Sequence, residues 1–409
     1  LVARKEEIAE LMTREMGKPL TETRGDVQEG IDTAYYAATE GRRLFGHTVP
    51  SELRAKWAMS FRRPIGVCGI ITPFNFPLAI PTWKIFPALL CGNSVVFKPA
   101  EDVPHTGTVF VEILLEAGLP PEVIQLVHGA GETGAAIVDH PDVPAISFTG
   151  STDVGSIVGQ TCGRMHKRLS LEMGGKNAMI VLDDADPDLA LDGVLWGAFG
   201  TTGQRCTATS RLILQSKIHD NLLGQLVDRA KAMKLGDGRK KGTDVGPLIN
   251  DASRSKVERY VDIGQAEGAD LLCGGKRPDA KSLEKGFFFE PTVFAHVDVE
   301  SAARRLAELL SDEGADVLTI YDPNGGYGHP DHVQVHRVGV RAAELAETPV
   351  VLEATVSAGL FRAVLLLLRL VGNALGRSAP LGTQHVFRSG REITHRVSVT
   401  RFLHAKRAA

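Results

Sequence analysis

Two short stretches of this chain carry side chains that can make and break bonds. Leu171-Glu172-Met173-Gly174-Gly175-Lys176 offers a carboxylate, and Gly203-Gln204-Arg205-Cys206-Thr207 offers a thiol thirty-four residues after that Glu. A thiolate that attacks a carbonyl makes a covalent adduct that water must later release, and a carboxylate is a suitable base for activating that water. Cys206 and Glu172, each in a glycine-flanked turn, therefore form a candidate covalent-catalysis pair.

The composition bounds what surrounds them. At 409 residues with 43% hydrophobic side chains, the chain has room for two or three domains with real cores. A formal net charge of -3 leaves no basic field, so a small-molecule partner is expected, with no nucleic acid and no membrane. The five cysteines are widely spaced, odd in number and without a Cys-x-x-Cys pair, which speaks against a disulfide framework or a zinc ribbon. A cytoplasmic location follows, and Cys68, Cys91, Cys162 and Cys273 read as small core residues. Residues 1–20 read as a charged amphipathic helix rather than a signal peptide, and the missing initiator Met leads us to expect a truncated N-terminus. The apolar run 363–368 is far shorter than the roughly 20 residues that cross a bilayer and is expected to be a buried helix.

The elements that must position the pair begin with two helices over residues 1–45, broken at Gly17-Lys18-Pro19 and expected to serve packing. From Arg63 short apolar strands at 66–72, 94–98, 123–127 and 145–149 alternate with helices, which predicts a parallel sheet with ligands at its carboxyl ends. The first strand ends in Thr72-Pro73-Phe74-Asn75-Phe76-Pro77, a rigid turn holding one amide. The second ends in Lys98-Pro99-Ala100-Glu101, which could meet phosphate and ribose or form a solvated pair. The fourth runs into Phe148-Thr149-Gly150-Ser151-Thr152-Asp153-Val154, where free N–H groups at a helix start suit a pyrophosphate, or where Ser151 or Thr152 is an ordinary N-cap. No Gly-x-Gly-x-x-Gly stands there.

In order and spacing these motifs resemble the aldehyde dehydrogenase superfamily, from about residue 1 to about residue 297. The resemblance implies an α/β fold: a variant Rossmann parallel sheet with helices on both faces, then a partial α/β catalytic domain. It implies oxidation of an aldehyde to a carboxylic acid through a thiohemiacetal and a thioester on Cys206, with Glu172 as general base and Asn75 with the Cys206 N–H as oxyanion hole. The cofactor so implied is NAD, with NADP possible; Glu101 favours NAD because a carboxylate repels a 2'-phosphate. Thr72, Pro73, Lys98, Glu101, Gly131, Gly150, Ser151, Val154, Met173 and Gly174 would bind it. The aldehyde substrate stays unnamed, and a non-catalytic nucleotide binder is an alternative reading. A homo-oligomer is expected for the family, although the segment that joins subunits is not found.

After Phe289-Glu290-Pro291-Thr292 the family pattern stops, and its Glu-Ile-Phe-Gly-Pro segment does not follow. Residues 301–314 read as a helix and 316–321 as a strand that ends in Asp322-Pro323-Asn324-Gly325-Gly326-Tyr327-Gly328-His329-Pro330-Asp331-His332. Two histidines around an aspartate, with His336 one helical turn on, could bind zinc. This stretch resembles the C-terminal half of PIG-L/LmbE-type de-N-acetylases, which implies His332 as a metal ligand, His329 as an oxyanion stabiliser and Asp331 as its partner. That family's His-Pro-Asp-Asp half is missing; His140-Pro141-Asp142 is followed by Val143 and reads as a turn, so a zinc-dependent de-N-acetylase with an incomplete metal site is a second alternative function. We therefore expect three parts: a nucleotide-binding domain at 1–172, a partial catalytic domain at 173–298, and a separate α/β half-domain at 299–409 joined as a chimera.

Overall fold

The computed structural model describes residues 1–295, 306–308, 310–311, 315, 317–321 and 330–354. The chain separates into two compact units, Leu1–Asp262 with Leu271–Val293 and Ile263–Asp270 with Phe294–Ala409.

The first unit opens with α1 (Lys5–Met16) and α2 (Leu20–Glu40). Ile8, Ala9, Met12 and Met16 recur at helical spacing and are buried, as are Val27 and Ile31 on α2. Gly17 ends α1 at φ +91, and a Cβ there would lie 2.6 Å from the Pro247 ring, so only glycine fits this turn. An exposed hairpin follows, β1 (Thr48–Pro50) paired with β2 (Trp57–Met59).

Next come β3 (Val67–Ile71), α3 (Ala79–Leu90), β4 (Ser94–Lys98), α4 (Pro104–Glu116), β5 (Ile124–Leu126), α5 (Gly131–Asp139), β6 (Ala145–Gly150), α6 (Thr152–Arg164) and β7 (Arg168–Met173). The five strands form one parallel sheet in the order β5-β4-β3-β6-β7. Alternation along the strands sends side chains to two cores. Ile70, Val95 and Phe97 pack with α1, α2, α3 and α4, whereas Ile71, Ile146 and Phe148 pack with Ile137 and Val138 of α5 and Val158 and Cys162 of α6. The expected doubly covered sheet is thus present, and its strands differ from the expected bounds by at most one residue at either end.

A second parallel pair, β8 (Asn177–Val181) with β9 (Thr209–Leu214), is covered by α7 (Pro187–Phe199) and α8 (Ser216–Ala232) through Val181, Leu191, Val194, Leu195, Leu222 and Leu226. α9 (Asp251–Ala266), β10 (Asp270–Cys273) and β11 (Val293–Ala295) complete this part of the chain. All five cysteines are free, but the expectation of four core residues needs correction. Cys91 caps the exposed end of α3, where the chain turns at Gly92, and Cys68, at the start of β3, is only half-buried against the first core.

In the second unit β12 (Val317–Tyr321) and β13 (Val350–Ala354) pair in parallel, with α10 (Pro330–Leu345) between them in the chain. Ala307, Leu310 and Ala342 form its small core. Residues 306–308 and 310–311 are helical, within the expected helix, and the run 363–368 lies outside the described residues. No helix among the described residues is long and apolar enough to cross a membrane.

Candidate active site

Strand order reverses between β3 and β6, and at such a switch point the crevice beyond the strand ends is the natural ligand site. A cleft of about 500 Å³ opens there, lined by Thr72, Pro73, Lys98, Glu101, Gly131, Gly150, Ser151 and Val154. Those eight are gathered as expected. Met173 and Gly174 are not part of the lining: the Met173 side chain turns back against Gly155, where a Cβ would come within 2.5 Å of its sulfur.

Local chemistry explains each wall. Ser151 caps α6, its Oγ accepting from the Val154 N–H at 3.3 Å, so the N-cap reading holds and the positive end of the helix dipole still faces the cleft. Lys98 is buried, not solvated as a free pair would be. Its Nζ donates to Pro99 O at 3.1 Å and to Glu101 Oε2 at 3.3 Å, and the Glu101 side chain stays 57% exposed. Thr72 Oγ1 and Thr149 Oγ1, both on this lining, are buried without a partner. Buried hydroxyls without partners are costly unless a ligand satisfies them.

Asn75, two residues beyond Pro73, donates from Nδ2 to Gln204 O at 2.8 Å. An amide carries two N–H groups, so one remains for a ligand after this bond is made. The bond ties the Asn75 turn to the loop that ends at Cys206, which is exposed. From the other side Asn177 donates from Nδ2 to Cys206 O at 2.7 Å, so the segment that starts at Glu172 is bonded to the cysteine's own backbone. Glu172 pairs with Thr149 in the β6–β7 register, and its side chain is exposed.

Four participants escape sequence reading. Asn177, Gln204 and Arg205 sit beside the expected residues: the side chains of Asn177 and Gln204 donate to the loop's backbone carbonyls at Cys206 and Thr201, and the Arg205 guanidinium donates to Thr201 Oγ1 and Glu22. Lys84 on α3 donates to Ser147 Oγ at 2.8 Å, and burial pushes its ammonium down to about 8 while the Glu172 charge pulls it up. Its place in a continuous apolar helix gave no signal. The loop before Cys206 is strained as well: Thr201 and Thr202 stand at φ +54 and +56, a region that β-branched residues avoid.

Of the suggested zinc group, His329 lies outside the described residues, and Asp331 and His332 fall in the first turn of α10, where no side chain is described. Among the described residues no three His, Cys, Asp or Glu side chains are grouped to hold a metal.

The aldehyde dehydrogenase family matches residues 1–306, and the chain belongs to that family. It is 43% identical over 298 residues to alpha-ketoglutaric semialdehyde dehydrogenase of Bacillus subtilis, covering 73% of this chain and 61% of that protein. It is 39% identical over 355 residues to betaine aldehyde dehydrogenase of the same organism, covering 82% and 71%. Among solved structures, a point mutant of betaine aldehyde dehydrogenase from Staphylococcus aureus in complex with NAD+ aligns with a TM-score of 0.71 and 32% identity, over 86% of this chain and 73% of that one. The NAD-dependent aldehyde dehydrogenase from Sinorhizobium meliloti aligns at 0.69 and 33%, over 89% and 64%. The chain thus spans about three fifths of the length of the first of these relatives.

Proposed function

We propose that this chain oxidises an aldehyde to a carboxylic acid with NAD, and that Cys206, Glu172 and Asn75 carry the reaction. The observation that carries the proposal is the bond from Asn75 Nδ2 to Gln204 O, which sets an amide donor, one residue beyond the cleft-lining Phe74, beside the thiol-bearing loop. Lys98 and Glu101 would hold the adenosine ribose, and Ser151 with the start of α6 the pyrophosphate. The two buried hydroxyls of Thr72 and Thr149 are the unsatisfied groups such a ligand fits. Met173 and Gly174 would act through backbone at the end of β7. When bound, NAD supplies the hydride acceptor.

The Cys206 thiolate adds to the aldehyde carbon, forming the C–S bond as the carbonyl π pair moves to oxygen. Asn75 Nδ2 and the Cys206 N–H stabilise that alkoxide, each donor contributing about 3 kcal/mol in comparable sites. Once the carbon is oxidised the acyl group remains on sulfur as a thioester. Glu172 takes a proton from water, whose oxygen attacks the acyl carbon, and the acid leaves as the thiolate is restored.

Glu101 makes NAD the preferred cofactor over NADP. The aldehyde is drawn from the chemistry of the relatives, semialdehydes of small acids and betaine aldehyde. Purified protein given NAD and such a panel should accumulate NADH, and Cys206→Ala should abolish it; an unchanged rate in that variant would remove the nucleophile assignment. Nucleotide-induced thermal stabilisation with no NADH from any aldehyde would instead favour a non-catalytic binder. Five free cysteines support a cytoplasmic location, and the exposed apolar Trp57, Met59 and Phe61 offer a surface for a homo-oligomer.

The division at residues 172 and 298, with a de-N-acetylase-like half beyond, belongs to the same proposal. The separation of compact units at Val293 and Phe294 supports a boundary there. The likeness to solved structures, at 86% of this chain, runs further than residues 1–298 alone could provide and weighs against a foreign segment. Amplification across residues 290–310 from source DNA tests the junction, and a single uninterrupted product defeats the chimera.

A further inference from the structure

The turn before α2 and the first half of that helix place Lys18, Glu22 and Asp26 four residues apart, and all three side chains are at least 94% buried. Charged groups are taken out of water only at considerable cost, and a well-packed apolar pair would stabilise the fold as well or better. What distinguishes this series is where its contacts go.

Lys18 Nζ donates to Asp26 Oδ2 at 2.8 Å and to the Asn75 carbonyl oxygen at 3.0 Å, and it lies 4.2 Å from the centre of the Phe76 ring. Asp26 Oδ1 accepts from the Ala79 N–H at 2.7 Å, where α3 begins. The turn that presents Asn75 is therefore held at both ends. One helical turn on from Lys18, Glu22 accepts from the Thr201 N–H at 3.1 Å, from Thr201 Oγ1 at 2.6 Å and from the Arg205 guanidinium at 3.1 Å. Arg205 also lies 4.0 Å over the Trp196 ring. The loop that presents Cys206 is thereby held by the same helix.

We propose that Lys18, Glu22 and Asp26 are positioning residues, with α2 acting as a common ruler that fixes the spacing between the Asn75 amide and the Cys206 thiol. The proposal rests on the reading of Asn75 and Cys206 given above. None of the three touches the aldehyde. They act through the geometry of attack, where a misplacement of about 1 Å costs on the order of 100-fold. Their loss accordingly falls on kcat and leaves the KM for aldehyde within about twofold.

The test is a double-mutant cycle on the full chain, with NAD and the panel aldehyde that gives the highest rate. Glu22→Gln keeps the shape and loses the charge, Asn75→Ala removes the donor, and the third variant combines them. Thermal stabilisation by NAD, whose cleft contains none of these residues, reports folding in every variant. Glu22→Gln is expected to lower kcat 10- to 100-fold alone and less than threefold in the Asn75→Ala background, with Glu22→Asp recovering part of the rate. Lys18→Met combined with Asp26→Leu, an apolar replacement that can pack in the same space, is expected to show the same dependence on Asn75. Losses that multiply independently, or a rise in KM without a fall in kcat, overturn the positioning role while leaving Cys206 and Asn75 in place. A wild-type rate in Asn75→Ala overturns the active-site reading, and this proposal with it.

Discussion

Lys84 sits where its own charge is hard to keep. Burial lowers its ammonium from 10.5 to about 8, with the Glu172 carboxylate opposing. A lysine whose folded pKa is depressed binds fewer protons folded than unfolded between those two values, so its contribution makes stability rise with pH across about 8 to 10.5. Denaturation measured over that window should lose the rise in Lys84→Met. The rate under the proposed reaction should feel the same titration, because above about pH 8 the Lys84 charge near Glu172 is lost. The pH profile of Lys84→Met should be flat there, and a surviving inflection would assign it elsewhere. The turns that carry Asn75 and Cys206 were legible because prolines and glycines mark them in the sequence itself, whereas Glu172, expected in a glycine-flanked turn, lies within β7 and only the glycines after it form the turn. Lys18 was not legible. A lysine after a helix-ending glycine reads as solvent-facing, and its burial depends on Asn75 and on segments around Gly238 and Gly246 more than two hundred residues away.

At the scale of elements, α6 and the α1–α2 turn make opposite demands on small residues. Ser151→Ala removes the cap of α6, which should cost about 1 kcal/mol of stability and weaken NAD binding measured by calorimetry. Unchanged affinity would place the pyrophosphate elsewhere. Gly246→Ala puts a Cβ 2.0 Å from Gly17 O, backbone that cannot step aside as a side chain can. Overpacking of this kind costs about 1–3 kcal/mol, and the melting temperature of this variant should fall accordingly. The strands of the main sheet were readable to within a residue because Val, Ile and Phe alternate between turn residues. The expectation that residues 1–45 serve packing holds for Ile8, Met12 and Val27, but it left out the Glu22 contacts to the Thr201 loop. Periodicity reports which face is buried, and it cannot report that a buried carboxylate such as Glu22 is bonded to a loop far along the chain.

For the whole molecule, the cleft draws every lining residue from Ile71 to Thr161 and is therefore complete within the first compact unit. Limited proteolysis that removes residues beyond about 298 should leave NAD-induced stabilisation intact, as followed by melting with and without the nucleotide. Loss of stabilisation would show that the C-terminal part supports the cleft. The fold of residues 317–321 and 330–354, a parallel pair with a helix between, was half legible: the strand at Val317–Tyr321 was expected and its partner Val350–Ala354 was not. A parallel partner about thirty residues away leaves no hairpin turn in the sequence to announce it.

Thr201 and Thr202 bear on how the loop before Cys206 should fail. Left-handed backbone costs a non-glycine residue roughly 1–2 kcal/mol, and here two in succession are restrained by Glu22 and by Thr202 Oγ1 donating to Gly246 O at 3.2 Å. The loop is a loaded spring in a folded frame. On warming it should let go before the sheet does, so alkylation of Cys206 would accelerate at temperatures where far-ultraviolet dichroism is still native. Coincident transitions would instead mean that the latch is as strong as the fold.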